Sequence, residues 1–212
     1  ENRLQMKDEE FLATGMFDNA KSGFKHQIPI NTSFKVAKHF NFSVGGNYED
    51  TWVFETIKKN DFDPKLGSVA AQDTIRGFDR FNKYNYSAGV STTLYGIFDF
   101  KEDAKIKSIR HVINANVSYS ESPSFEKYYD EYIIDADGNT RDYTRFETSL
   151  YGRPGINKSR SMSFALRNTI EAKVRDPDTL ATEPKKIKIL NNLNFSTSYN
   201  FEADSLGWSP VR

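Results

Sequence analysis

Apolar and polar residues alternate with a period of two along most of this chain. In the stretch Tyr84–Phe100 the even positions are Tyr84, Tyr86, Ala88, Val90, Thr92, Leu94, Gly96, Phe98 and Phe100. The odd positions are Asn85, Ser87, Gly89, Ser91, Thr93, Tyr95, Ile97 and Asp99. Such alternation predicts a strand with one apolar face. The same pattern predicts strands over 28–36, 40–54, 111–120, 161–174 and 187–201, with weaker candidates at 10–17, 128–134 and 142–151. No segment keeps a helical period, so the expected class is all-β and antiparallel.

The connections between these runs differ in length, and the difference has an order. A tight turn is expected at 37–39, a long polar segment at 57–83, a shorter one at 101–110 and a long one at 121–141. Residues 153–158 then read as a short turn, and 175–186 as a connection of middling length. Alternating short and long ends place the short turns on one side and the long loops on the other. Outer-membrane barrels have that asymmetry, with brief periplasmic turns and longer extracellular loops. Strand length points the same way. Soluble strands average ~5–6 residues, whereas a tilted membrane strand needs ~9–11. Tyr84–Phe100 would reach roughly 56 Å at ~3.3 Å per residue.

Charge and aromatic placement refine this picture. The segment 57–83 carries ten charged residues, while 84–100 carries only Asp99. Tyr84, Phe98, Phe100, Trp52, Phe54, Tyr199 and Phe201 sit at or near the ends of their runs, as residues of a membrane–water boundary do. No apolar run is long enough for a membrane helix, but a barrel strand meets lipid only at every second residue and escapes that test. Two readings therefore stand at this point: an antiparallel transmembrane β-barrel segment, or a large soluble β-sandwich or β-helical domain. Eight or so strands could also close a small barrel by themselves.

Composition excludes several other classes. The 212 residues include 29 basic and 29 acidic side chains, which gives no electrostatic reason to expect nucleic acid. The absence of cysteine excludes thiolate metal sites and disulfides. His26, His39 and His111 are the only imidazoles, and each stands apart from other candidate ligands. The run Asp135–Asn139 starts like a calcium loop, but its sixth and twelfth positions are Thr140 and Phe146, so a hairpin turn at Asp137-Gly138 explains it better. Glu126, Asp130 and Glu131 lie beside Tyr128 and Tyr129 in what reads as charged loop surface. Residues 152–158 contain glycines without phosphate-loop spacing. No residue pattern supports catalysis, and no metal or cofactor is expected.

Four stretches carry a more specific signal: "HQIPINTSFKVAKHFNFSVGGNYEDTW" from His26, "YNYSAGVSTTLYGIFDF" from Tyr84, "IRHVINANVSYSESPSF" from Ile109 and "LNNLNFSTSYNFEADSLGWSPV" from Leu190. Together they resemble the central barrel region of the lipopolysaccharide-assembly LptD family, in its divergent branch outside the enterobacteria. The sharpest matches are at 92–96, 109–113 and 198–205. The resemblance implies a barrel in the outer membrane of a Gram-negative bacterium that inserts lipopolysaccharide into the outer leaflet. It also implies a lipoprotein plug of the LptE kind, contacts with membrane lipids, and a lateral opening between the first and last strands. Periplasmic lipopolysaccharide-bridge proteins would act through an N-terminal jelly-roll domain outside this stretch. On this expectation 1–24 is a lead-in segment with room for a first strand, and 25–212 is an internal part of a longer barrel wall.

The two faces suit that work. Val90, Leu94, Phe98, Phe164, Leu166 and Phe195 are the candidates to face lipid. Asn85, Ser87, Ser91, Thr93, Asn192, Asn194, Ser196 and Ser198 are the candidates to face a wet lumen and touch lipopolysaccharide or the plug. The alternatives are another outer-membrane barrel, such as a porin or nutrient receptor, and a soluble carbohydrate-binding β-sandwich.

Overall fold

The computed structural model describes residues 1–6, 14, 20–101, 103–175 and 185–212. In chain order its strands are β1 (Asn2–Gln5), β2 (Lys21–Val36), β3 (Phe40–Lys58), β4 (Phe62–Asp63), β5 (Ser68–Val69) and β6 (Asp73–Asp99). They continue with β7 (Ile106–Ser122), β8 (Tyr129–Ile133), β9 (Thr140–Thr144), β10 (Ser159–Val174) and β11 (Lys185–Asn200). A 3-10 turn at Glu126–Tyr128 is the only helical element among the described residues.

Seven strands form one antiparallel sheet in the order β1-β2-β3-β6-β7-β10-β11. The six long strands are those that the two-residue period marks. The sheet is open among the described residues: β1 and β11 are its edges and do not pair, so these strands alone close no barrel. Residues 207–212 run back along β11, where Ser196 and Arg212 exchange backbone hydrogen bonds of 2.8 and 3.0 Å. Two small hairpins, β4–β5 and β8–β9, stand apart from the sheet.

Several expectations need correction. The segment 57–83 is not a long loop: β3 runs on through Lys58 and β6 begins at Asp73. Its charges are compatible with strand because they pair across it, Lys83 with Glu49 at 2.7 Å and Arg80 with Asp50 at 3.8 Å. The expected strand at 142–151 ends at Thr144 and gives way to turns, and 153–158 is not a separate hairpin turn. Both lie in one connection, 123–158, that joins β7 to β10 and carries β8 and β9. His111 sits inside β7 rather than at its start. The candidate strand at 10–17 lies, but for Thr14, outside the described residues, as does most of 175–186.

The turn at 37–39 is as tight as expected, although Ala37 and Lys38 adopt left-handed backbone with φ of 49° and 63°. Consecutive left-handed residues suit the twist of a tight hairpin, and that backbone usually falls to Asn-Gly. The hydroxyl of Thr92 braces this turn by donating to the carbonyl of His39 at 2.9 Å.

The chain divides into two compact units. Unit 1 comprises residues 1–30, 46–85 and 122–158 and holds the long connections. Unit 2 comprises 31–45, 86–121 and 159–212 and holds the tight turn at 37–39, the β6–β7 turn and the β10–β11 hairpin. The short and long connections therefore segregate as their lengths suggest.

In unit 1 the 123–158 connection covers the odd-numbered face of β3 and β6. Val53, Phe81, Phe125, Tyr128 and Phe146 pack into a buried cluster, with Phe81 and Phe146 rings 4.7 Å apart. Arg145 pairs with Asp79 at 2.6 Å and lies over the Phe146 ring. The Tyr128 hydroxyl accepts from the Asn82 backbone at 3.0 Å and donates to its side chain at 3.1 Å. The cover is thus held by apolar burial and by satisfied polar groups at its rim.

Candidate functional site

The site of interest is the pair of sheet faces in unit 2. Opposite residues in an antiparallel ladder share a face, so the register assigns each side chain. On one face Val90 stands opposite Val117, Leu94 opposite Ile113 and Phe98 opposite Ile109. Phe164 stands opposite Thr197, and Leu166 opposite Phe195. His111 Nε2 lies 3.1 Å from Asn168 Oδ1, which joins the β6–β7 and β10–β11 halves of this face. All six lipid-facing candidates therefore share one side of the sheet.

The described residues leave most of that side open, although Trp208 lies against Phe164 with ring centroids 5.6 Å apart. Leu94, Phe98, Leu166 and Phe195 are 44–62 % exposed, and Ala172 is the only buried apolar residue of unit 2 among those described. Leaving a Leu or Phe in water forgoes roughly 1.5–3 kcal/mol of burial each. An exposed apolar surface of this kind marks an interaction site, for protein, ligand or membrane.

The opposite face is built from small polar side chains. Ser87 pairs with Ser120, Ser91 with Asn116 and Thr93 with Asn114, where the Thr93 hydroxyl donates to Asn114 Oδ1 at 2.8 Å. Ser163 pairs with Ser198, Ala165 with Ser196 and Arg167 with Asn194. The hydroxyls of Ser120 and Ser161 are 3.0 Å apart, so the row runs on from β7 to β10. Two shallow grooves lie on this face. One, of about 390 Å³, includes Asn31, Ser33, Ser43 and Ser87, and the other, of about 490 Å³, includes Asn114, Asn116, Arg167, Asn194 and Ser196.

Six of the eight lumen candidates fall in this array. Asn85 lies in β6 one residue before the first ladder pair with β7, Tyr86↔Glu121. Asn192 falls where the β10–β11 register shifts, between Leu193 opposite Asn168 and Leu190 opposite Ile170. Both are outside the rows. Polar positions of the same alternation that were not among the lumen candidates include Asn114, Asn116, Ser120 and Ser161. They complete the rows from the partner strands, and the register could have found them.

Aromatic side chains gather near the run ends, as their sequence positions suggest. In unit 1, Phe24, Trp52, Phe54 and Phe78 touch edge to face or tilted, with ring centroids 5.7–6.5 Å apart. In unit 2, Phe34 stacks on Phe42 at 5.6 Å. There too Tyr119, Tyr199, Phe201, Trp208 and Phe164 form a chain of ring contacts. His26 rests against Trp52, at 4.8 Å between ring centroids. Asp135 caps the β8–β9 turn rather than joining a ligand set (its carboxylate accepts from Asp137 N, Asn139 N and Asn139 Nδ2). Among the described residues no group of His, Asp and Glu is placed to hold a metal ion.

Long antiparallel strands, one largely bare apolar face and one face of small polar residues define an all-β protein built on one large antiparallel sheet. The family model described as LptD protein matches residues 1–212, the whole chain. The chain belongs to the LptD protein family, whose work is lipopolysaccharide transport and outer-membrane assembly in Gram-negative bacteria. That bears out the resemblance carried by the four sequence stretches. Neither a curated protein nor a solved structure matches the chain.

Proposed function

We propose that residues 25–212 are a stretch of wall from an outer-membrane barrel that inserts lipopolysaccharide into the outer leaflet. The largely bare apolar face of unit 2 carries this reading. Within a bilayer, Val90, Leu94, Phe98, Phe164, Leu166 and Phe195 would meet acyl chains, and the free energy forgone in water would be recovered. The spacing of aromatics supports it. Phe34 lies ten positions after Phe24, and Trp52 ten after Phe42, within the ~9–11 residues that a tilted membrane strand needs. On this reading the short connections are periplasmic and the long ones extracellular.

The polar face would line the lumen. Ser87, Ser91, Thr93, Asn194, Ser196 and Ser198 offer hydroxyl and amide groups to sugar hydroxyls without filling the space a glycolipid head group needs. The same groups could instead contact a lipoprotein plug of the LptE kind. Further strands, from elsewhere in a longer chain, would pair with the open edges and close the barrel. A water-soluble carbohydrate-binding sandwich would need a second sheet over the apolar face, and no described residue supplies one.

The test places single cysteines in the full-length protein in outer membranes, at Val90, Leu94 and Phe98 and then at Ser87, Ser91 and Thr93. A lipid-soluble quencher should reach labels at the first set only, and a water-borne thiol reagent should modify the second set only. Resistance of both sets to both probes would overturn the barrel reading and favour a dry protein core.

A further inference from the structure

One part of the polar face departs from the small-residue rule. Beyond Thr93, Tyr95 and Ile97 stand on that face, and each is 63 % exposed. With Asp99, Ser108, Arg110, Glu171, Lys173 and Lys186 they line a pocket of about 560 Å³ within unit 2. Among the described residues its lining carries three basic side chains, Arg110, Lys173 and Lys186, against two acidic ones, Asp99 and Glu171. Arg110 lies over the Tyr95 ring at 5.4 Å, and its nearest carboxylate, Glu171, is at 4.0 Å, the outer limit of an ion pair. Glu171 itself stands opposite Lys188 in the ladder.

Lys173 and Lys186 stand directly opposite each other in the β10–β11 ladder. Like charges in that position destabilise a sheet. Among the described residues, neither lysine has a carboxylate within ion-pair reach. A facing lysine pair, a guanidinium held flat by an aromatic ring and two bare apolar side chains together describe the complement of an anionic amphiphile. Lysine offers the point charge and arginine the planar fork that bind phosphate oxygens, while Tyr95 and Ile97 offer apolar area beside them.

We infer that this pocket binds the phosphate group of an amphiphilic lipid, with Lys173, Lys186 and Arg110 on the phosphate and Tyr95 and Ile97 on the adjoining apolar part. The inference rests on the barrel reading above, in which this end of the polar face opens to the periplasm. A phosphorylated glycolipid entering the lumen from that side would meet the pocket before it met the hydroxyl rows. Bound phosphate would also remove the repulsion between the two lysines.

The test titrates the full-length protein in detergent micelles with dioleoyl phosphatidic acid, with dioleoylglycerol, which lacks the phosphate, and with inorganic phosphate. Native mass spectrometry reads the bound lipid. Phosphatidic acid should bind and dioleoylglycerol should not. The Lys173→Gln/Lys186→Gln pair should weaken binding by about tenfold or more, as expected for two lost charge-assisted contacts. The Lys173→Arg/Lys186→Arg pair should retain it, and Lys188→Gln should change it less than about threefold. Unchanged binding in the double glutamine variant would overturn the inference, as would inorganic phosphate competing as strongly as the lipid. Cysteine labelling of Ser91 and Thr93 separates the two failures. A protein that labels there from water but binds no phosphatidic acid keeps its barrel reading and loses this site.

Discussion

Units 1 and 2 differ in how much apolar surface the chain itself covers. Unit 1 buries side chains on the odd-numbered face of β3 and β6 and leaves Phe54 and Phe78 exposed on the even-numbered one, while the apolar face of unit 2 is largely bare. In unit 1 a long connection folds back and buries part of the sheet, so Phe81 and Phe146 lose all or nearly all contact with solvent. In unit 2 Leu94, Phe98, Leu166 and Phe195 stay exposed among the described residues. The aromatic content of the connection accounts for the difference. Between β7 and β10 it carries Phe125, Tyr128, Tyr129, Tyr132, Tyr143 and Phe146, enough apolar surface to offset the entropy of ordering it. Unit 1 therefore has a buried cluster of its own, whereas on the barrel reading proposed above unit 2 is stabilised by what lies against its faces. Substitutions in the two units should separate these sources of stability.

The largest effect is expected in unit 1. Phe81→Ala removes the centre of the buried cluster and should cost roughly 3–5 kcal/mol. Limited proteolysis of the full-length protein would show it as faster cleavage within 123–158, in membranes and in detergent alike. Unchanged protection would mean that the cover is held by its polar rim, through Arg145–Asp79 and Tyr128–Asn82, and not by apolar burial.

Unit 2 should respond differently. Leu94→Arg puts a charge on the bare apolar face and should cost about 2–4 kcal/mol near the middle of a bilayer. Ser91→Arg, on the polar face, should cost less than about 1 kcal/mol. Urea unfolding of the full-length protein from phosphatidylcholine vesicles would measure both. Equal, small effects would show that both faces of β6 are solvated, and would remove the contrast between the units. A soluble sheet tolerates a surface arginine within about 0.5 kcal/mol, so the size of the Leu94→Arg effect discriminates between the two media.

The parts of this structure that were legible in the sequence are those where one face alone determines the residue type. The strands at 28–36, 40–54, 84–100, 111–120, 161–174 and 187–201 all keep the two-residue period, and all appear in the sheet. The first part of β6, Asp73–Lys83, was hidden because Asp73, Arg76, Asp79, Arg80 and Lys83 resemble loop residues. Their strand character depends on partners such as Asp50 and Glu49 from β3, which only register reveals. The unit 1 cover was hidden for a related reason. Phe125 and Phe146 belong to no periodic run, and their burial comes from tertiary packing alone. Six of the eight lumen candidates were legible as a row, while Asn192 was lost to a register shift that no single strand announces. The facing lysines 173 and 186 likewise look unremarkable until β10 and β11 are paired.

The smallest effect tests the unit 1 cover at its rim, through the β8–β9 hairpin. Asp135 starts its turn, Gly138 takes the left-handed position at φ 81°, and Ile134 N donates to the Asn139 carbonyl at 2.8 Å. The Asn139 side-chain amide, 2.7 Å from Asp135 Oδ2, is the main cause that holds this carboxyl below its ordinary value, and the Asn139 backbone N–H adds to it. A carboxyl depressed in the folded state contributes stability above its unfolded pKa, about 3.8. That contribution is lost as the pH falls through the lower folded value. Protection of the Ile134 N–H, relative to its intrinsic exchange rate, should therefore hold from pH 7 to about pH 5 and decline below pH 4. Asp135→Asn should lower protection slightly at pH 6 and match the parent protein near pH 3. A gap that stayed constant across that range would show that the turn is held by Gly138 and the strand ladder, with the carboxylate as a bystander.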